Sequence, residues 1–100
     1  MVVYNVTIKV DLASHTEWLN WMKLEHIPAV MATGYFADHR MLRILEMDES
    51  DGFTYAVQYH AADMQDYFDY LEKEAPRLRQ EMDDRFKGHY SAFRTVMKVV

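Results

Sequence analysis

One hundred residues, half of them hydrophobic and 27% charged, have the balance of one soluble globular domain with chain enough for a single core. A net charge of −5 argues against sequence-independent nucleic-acid binding and against an anionic membrane surface, because both need an excess of cations. The absence of cysteine removes disulfides, thiolate nucleophiles and thiolate metal sites.

Residues 2–10 alternate strictly, with Val2, Tyr4, Val6, Ile8 and Val10 on one side and Val3, Asn5, Thr7 and Lys9 on the other, which predicts a half-buried strand. The N-terminal stretch has no basic region ahead of an apolar run, and no segment is long and apolar enough to span a bilayer, so a cytoplasmic location is expected. Ser14 or Thr16 is placed to cap the next element, with Glu17 completing a capping box after Ser14. A helix is then expected to about Ala32, bent near Pro28, with Gly34 supplying the left-handed turn after it.

Residues 36–46 and 53–60 read as two strands joined by the hairpin loop Asp48-Glu49-Ser50-Asp51-Gly52. Asp63 caps a second helical region in which Met64, Phe68, Leu71 and Ala75 share a face. Pro76 ends that segment and opens another, with Leu78, Met82 and Phe86 at four-residue spacing. After Lys87-Gly88, residues 89–99 form a last strand with Phe93, Thr95, Met97 and Val99 on one face.

The order β-α-β-β-α-β predicts a ferredoxin-like α+β domain over residues 1–100, a four-stranded antiparallel sheet with its helices on one face and the second helical region broken at Pro76. The first and third strands are expected at the centre, with Tyr4, Val6 and Ile8 facing the helices beside Tyr55, Val57 and Tyr59. The opposite face is expected to carry Asn5, Thr7, Lys9, Gln58, His60, Arg94 and Lys98.

The candidate site centres on His26. At about 100° per residue, Trp18, Met22, His26 and Ala29 share one helical face. An imidazole in an apolar stripe is either a ligand contact or general base in a pocket, or a core histidine satisfied by a tyrosine hydroxyl and a carbonyl. The candidate ligand-binding set is His26, Trp18, Tyr4, Tyr55 and Tyr59, and His26 is the one catalytic candidate. His39 and His60 should lie opposite each other or one residue off, which is too few ligands for a metal site, so no metal is expected. Arg40, Arg43, Arg94, Lys9 and Lys98 could hold a carboxylate or phosphate, or could be the wet side of an ordinary sheet. Leu24, Ile27 and Met31 lie behind the His26 stripe and suggest either a partner surface or cover from the neighbouring helix.

Several segments together resemble an uncharacterised bacterial family, a domain of unknown function frequent in Bacteroidetes. They are Tyr4-Asn5-Val6-Thr7, Trp18…Trp21-Met22…His26-Ile27-Pro28, Met31-Ala32-Thr33-Gly34-Tyr35-Phe36, Tyr55-Ala56-Val57-Gln58-Tyr59, Ala75-Pro76-Arg77-Leu78-Arg79 and Phe93-Arg94-Thr95. The layout is more distantly similar to the dimeric α/β-barrel superfamily, which includes cofactor-free monooxygenases, small isomerases and haem-handling enzymes. That resemblance implies a homodimer. The superfamily's haem-degrading branch pairs a first-strand asparagine with a histidine in the second helical region. Asn5 matches the first, but residues 63–86 contain no histidine, so no cofactor is expected. The expected function is small-molecule binding or a structural role. The alternatives are a cofactor-free enzyme, monooxygenase- or isomerase-like, with His26 as general base, and a protein-interaction module.

Overall fold

The computed structural model describes residues 1–100. The elements run β1 (Val2–Asp11), α1 (His15–Trp21), a π-helical turn (Met22–His26), α2 (Ile27–Ala32), β2 (Asp38–Arg43), β3 (Gly52–Ala61), α3 (Met64–Lys73), α4 (Ala75–Phe86) and β4 (Tyr90–Lys98). The sheet order is β2-β3-β1-β4, with every neighbouring pair antiparallel. This is the ferredoxin-like arrangement, with β1 and β3 central.

Register follows the β1 alternation. Tyr4 pairs with Tyr59, Val6 with Val57 and Ile8 with Tyr55, and all six are buried against the helices. Gly52 starts β3 opposite Asp11, where a Cβ would stand 2.4 Å from the Val10 carbonyl oxygen, so only glycine fits that approach. Gly34 takes φ +83° after α2, as the helix stop requires.

Three helical details differ from the sequence expectation. Ser14 is the N-cap of α1, but its side chain caps nothing. Its backbone N–H instead donates to Asp11 Oδ1 at 2.8 Å, so the capping box does not form. Pro28 has no N–H to return to the Leu24 carbonyl, and just before it the ladder loosens into a π turn in which the Ile27 N–H reaches the Met22 carbonyl. The extra residue turns the apolar stripe, so the buried positions run Trp18, Trp21, Met22, Ile27 and Val30. Ile27 therefore joins the core and Leu24 is left 77% exposed, so no continuous Leu24–Ile27–Met31 strip exists.

In α3, where Asp63 caps as expected by accepting from the Asp66 N–H at 2.9 Å, the buried residues are Tyr67 and Tyr70. Met64 and Phe68 are exposed. The reason is Tyr4, whose ring lies 5.3 Å from Tyr67 and 5.8 Å from Tyr70, so the helix turns its tyrosines onto an aromatic cluster.

The largest correction concerns β4. Val6 pairs with Arg94, Tyr4 with Val96 and Val2 with Lys98, which puts Arg94 and Lys98 on the helix side. Phe93, Thr95 and Met97 consequently face the helix-free side. The strand has apolar residues at both parities (Tyr90, Ala92 and Val96 against Phe93 and Met97), so alternation could not choose its face and pairing with β1 did.

Candidate functional site

Between the π turn, α4 and the sheet lies a cavity of about 30 Å³. That volume has room for a water molecule and little more. Tyr4 and Val6 from β1, Tyr59 from β3, Met22 and His26 from the π turn, and Arg79 from α4 contribute to its wall. The π turn positions His26 here. Its ring stacks on Trp21 with centroids 4.9 Å apart, and it also lines an outer cleft of about 360 Å³ with Glu25, Glu81, Asp84 and Arg85. His26 thus lines both the cavity and the open cleft outside it.

The polar groups of the cavity are unevenly satisfied. The Tyr4 hydroxyl accepts hydrogen bonds from Arg79 Nη2 and from Arg94 Nε, each at 3.1 Å. His26 Nδ1 and Arg79 Nε are buried and have no hydrogen-bond partner. No tyrosine hydroxyl is hydrogen-bonded to His26 Nδ1. Burial, with a smaller contribution from the Arg94 charge, pushes the His26 pKa down to about 4, so the ring is neutral near pH 7. Burial likewise raises the Tyr59 and Tyr70 phenols well above the ordinary tyrosine range, and both remain protonated. Tyr90, whose hydroxyl donates to Asp83, is raised to about 12 by burial and then by that carboxylate.

The five residues expected to gather at one site divide into two groups. Tyr4, Tyr59 and His26 line the cavity. Trp18 and Tyr55 pack together elsewhere, with ring centroids 5.2 Å apart, and the Tyr55 hydroxyl lies 2.6 Å from His15 Nε2. Arg79, Arg94, Tyr70 and Tyr90 belong to the cavity but were not anticipated there. Within α4 the residue pattern marked Arg79 only by its place beside the buried Leu78, which is also the signature of any solvated arginine.

The other charged candidates disperse. Arg43 pairs with Glu49 and lies over the Phe53 ring at 4.1 Å, and Lys9 pairs with Asp51 at 2.9 Å. His39 pairs in register with Tyr59 whereas His60 pairs with Asp38, so the two imidazoles project from opposite faces of the sheet. No three His, Asp or Glu side chains gather where a metal ion could be held. Asn5 is on the helix-free face, donating to Thr7 Oγ1 at 3.0 Å, and shares no pocket with His26. No helix is long and apolar enough to cross a membrane.

The chain belongs to a family described as a domain of unknown function, DUF4286, whose model matches residues 1–100. No curated protein matches it in sequence. Among solved structures it is similar to an MhuD mutant with two manganese protoporphyrin IX bound per active site, at 20% identity and TM-score 0.70, covering 100% of this chain and 95% of that one. It is similar to a mutant of SnoaB, a cofactor-independent oxygenase from Streptomyces nogalater, at 11% identity and TM-score 0.65, covering 98% and 92%. A Dabb family protein with a ferredoxin-like fold from Mesorhizobium loti aligns at 14% identity and TM-score 0.61, covering 100% and 99%. These likenesses show the ferredoxin-like fold.

Proposed function

We propose that this DUF4286 chain binds a small organic molecule in the cavity under His26. The observation that carries this reading is the buried His26 Nδ1 without a partner, in a cavity that also holds the unpartnered Arg79 Nε. A buried polar atom left unpaired costs about 1–3 kcal/mol, so His26 Nδ1 calls for a hydrogen-bond partner that the protein itself does not supply. A benzene-sized ligand needs about 150 Å³, so its entry requires a wall to part. The wall with fewest restraints is β4, paired on one side only and largely exposed.

Titrating the labelled protein with phenol tests the reading. Amide shifts should concentrate at Met22, His26, Tyr59 and Leu78, and His26→Ala should weaken the response several-fold. Shifts scattered over the surface, or none at millimolar phenol, would sink it.

The enzyme alternative has one supporting observation, the neutrality of His26. An imidazole with a pKa of about 4 is free to accept a proton at pH 7 but is a weak base there. SnoaB, a cofactor-independent oxygenase, shares the fold. Catalysis by His26 therefore requires that a bound substrate raise its pKa.

The homodimer is also proposed, now on different residues. The helix-free sheet face carries the cross-strand rows Leu42–Ala56–Thr7–Phe93 and Asp38–His60–Val3–Met97, with Phe93 63% and Met97 40% exposed. Exposed apolar side chains on a face without helices are what a second sheet would cover. Light scattering at micromolar concentration should give about twice the 11.9 kDa chain mass, and Phe93→Glu should return it to one chain. A parent protein that scatters as a single chain ends the dimer proposal.

A further inference from the structure

The chain is acidic overall, yet it places two arginines side by side with neither in an ion pair. The ion pairs of the molecule are made by Lys9, Arg43, Arg77 and Arg85, and neither Arg79 nor Arg94 takes part in one. Both guanidinium groups instead share a single neutral acceptor, the Tyr4 hydroxyl, at 3.1 Å each. Two cations converging on one phenol oxygen are a costly arrangement in a partly desolvated place, and the buried Arg79 Nε–H has no acceptor at all.

The same two arginines, with Tyr90, line a second space. On the outer side of the cavity, between α4 and the start of β4, is a cleft of about 300 Å³. It is bordered by Arg79, Arg94, Lys87 and Asp83. Asp83 is the one carboxylate among three cations, and it already accepts a hydrogen bond from the Tyr90 hydroxyl. The arginines and Tyr90 are therefore the partition between an open cationic cleft and an enclosed aromatic cavity.

From this geometry we infer that the ligand is an oxyanion on a small aromatic or otherwise apolar body. Its anionic group is held by Arg79 and Arg94 at the α4–β4 mouth, and its body points inward toward Tyr4, Tyr59 and His26. This inference rests on the cavity reading above and adds the ligand's charge and direction. A planar carboxylate suits the site best. A guanidinium fork offers two parallel N–H donors to such a group, and Arg79 Nε is an unused donor of that kind. The anion would take over from the Tyr4 hydroxyl as the acceptor of the guanidinium N–H groups. Neutral His26 faces the body of the ligand, where an imidazolium would compete for the anion.

The test compares benzoate, its neutral isostere benzamide and inorganic phosphate by amide-shift titration at fixed ionic strength. Benzoate should perturb Arg79, Tyr90 and Arg94 together with Tyr59 and His26, and should bind at least tenfold more tightly than benzamide. Arg94→Gln, at an exposed edge-strand position that folding tolerates, should erase most of that difference, as should Arg79→Gln. Equal binding of benzoate and benzamide in the cavity would leave the cavity reading standing and overturn the anion. Benzoate affinity unchanged in both arginine variants would overturn the placement. Phosphate binding as tightly as benzoate, without shifts at Tyr59 and His26, would show a bare anion site and overturn the inward direction. Absence of binding by all three probes would overturn the inference.

Discussion

In His26→Phe the loss of stability between pH 7 and pH 4 should be smaller than in the parent by about 3 kcal/mol. The folded protein holds the His26 pKa at about 4, against an ordinary value of 6.5, chiefly by burial. Between those two values the unfolded chain binds the proton that the folded chain refuses, so stability rises with pH through that window. It is lost as pH falls from 6.5 toward 4, and below about 4 both states carry the proton and the loss stops growing. Burial and the nearby Arg43 charge lower the pKa of His15 as well, so the parent's acid sensitivity has more than one source. Asp11 acts in a different range. Its carboxyl is held down by His89 and by the Ser14 N–H, and that contribution is lost only as pH falls below the ordinary carboxylate value. Subtracting the His26→Phe profile from the parent's isolates the His26 contribution. At pH 7 the variant should keep its fold, because phenylalanine retains the stack on Trp21 and removes the unpartnered Nδ1. Urea denaturation at half-unit pH steps gives both curves. Parallel curves would mean that His26 titrates normally and is not enclosed.

Trp18→Ala should lose about 3–5 kcal/mol, a large share of the roughly 5–15 kcal/mol that stabilises a domain this size. Trp18 is fully buried and packs on Tyr55 where α1 crosses β3. Removing the indole opens a void that β1 and β3, fixed by their ladder on both sides, cannot close. The same substitution should leave the phenol site intact in whatever fraction remains folded, because Trp18 does not line the cavity. Denaturation midpoints with and without phenol separate the two effects. A small loss of stability with loss of ligand response would return Trp18 to the binding site, where the helical-wheel argument first put it.

Much of the fold was written in local pattern. The period-two run from Val2 to Val10, the Asp63 cap, the Leu78–Met82–Phe86 spacing and the acidic hairpin loop each specify an element from neighbouring residues alone. The order of those elements leaves one economical topology. Where the pattern was ambiguous it misled. The β4 strand is apolar on both sides, and α3 presents Met64 and Phe68 on one face against Tyr67 and Tyr70 on another. Hydropathy favoured the sulfur and phenyl groups, whereas packing around Tyr4 favoured the phenols.

The site was legible only to the extent that one helix face could be drawn. Tyr4 and Tyr59 were identifiable as inward residues from strand alternation, and His26 from its stripe. The π turn before Pro28 then shifted that stripe by one residue, which delivered Ile27 to the core and left His26 at the boundary between cavity and cleft. Arg79 and Arg94 come from segments 15 residues apart, and they meet at the Tyr4 hydroxyl only because β4 pairs with β1 in one register.

The sequence by itself determined the identity and order of the elements, since helix periodicity, strand alternation and capping are set by residues within a few positions of one another. The tertiary structure alone decided which face β4 and α3 show, where the helix slips into a π turn, and that two unpaired arginines stand beside a neutral histidine. Those outcomes depend on pairing and packing between residues distant in the chain, where a shift of a single residue exchanges one face for the other.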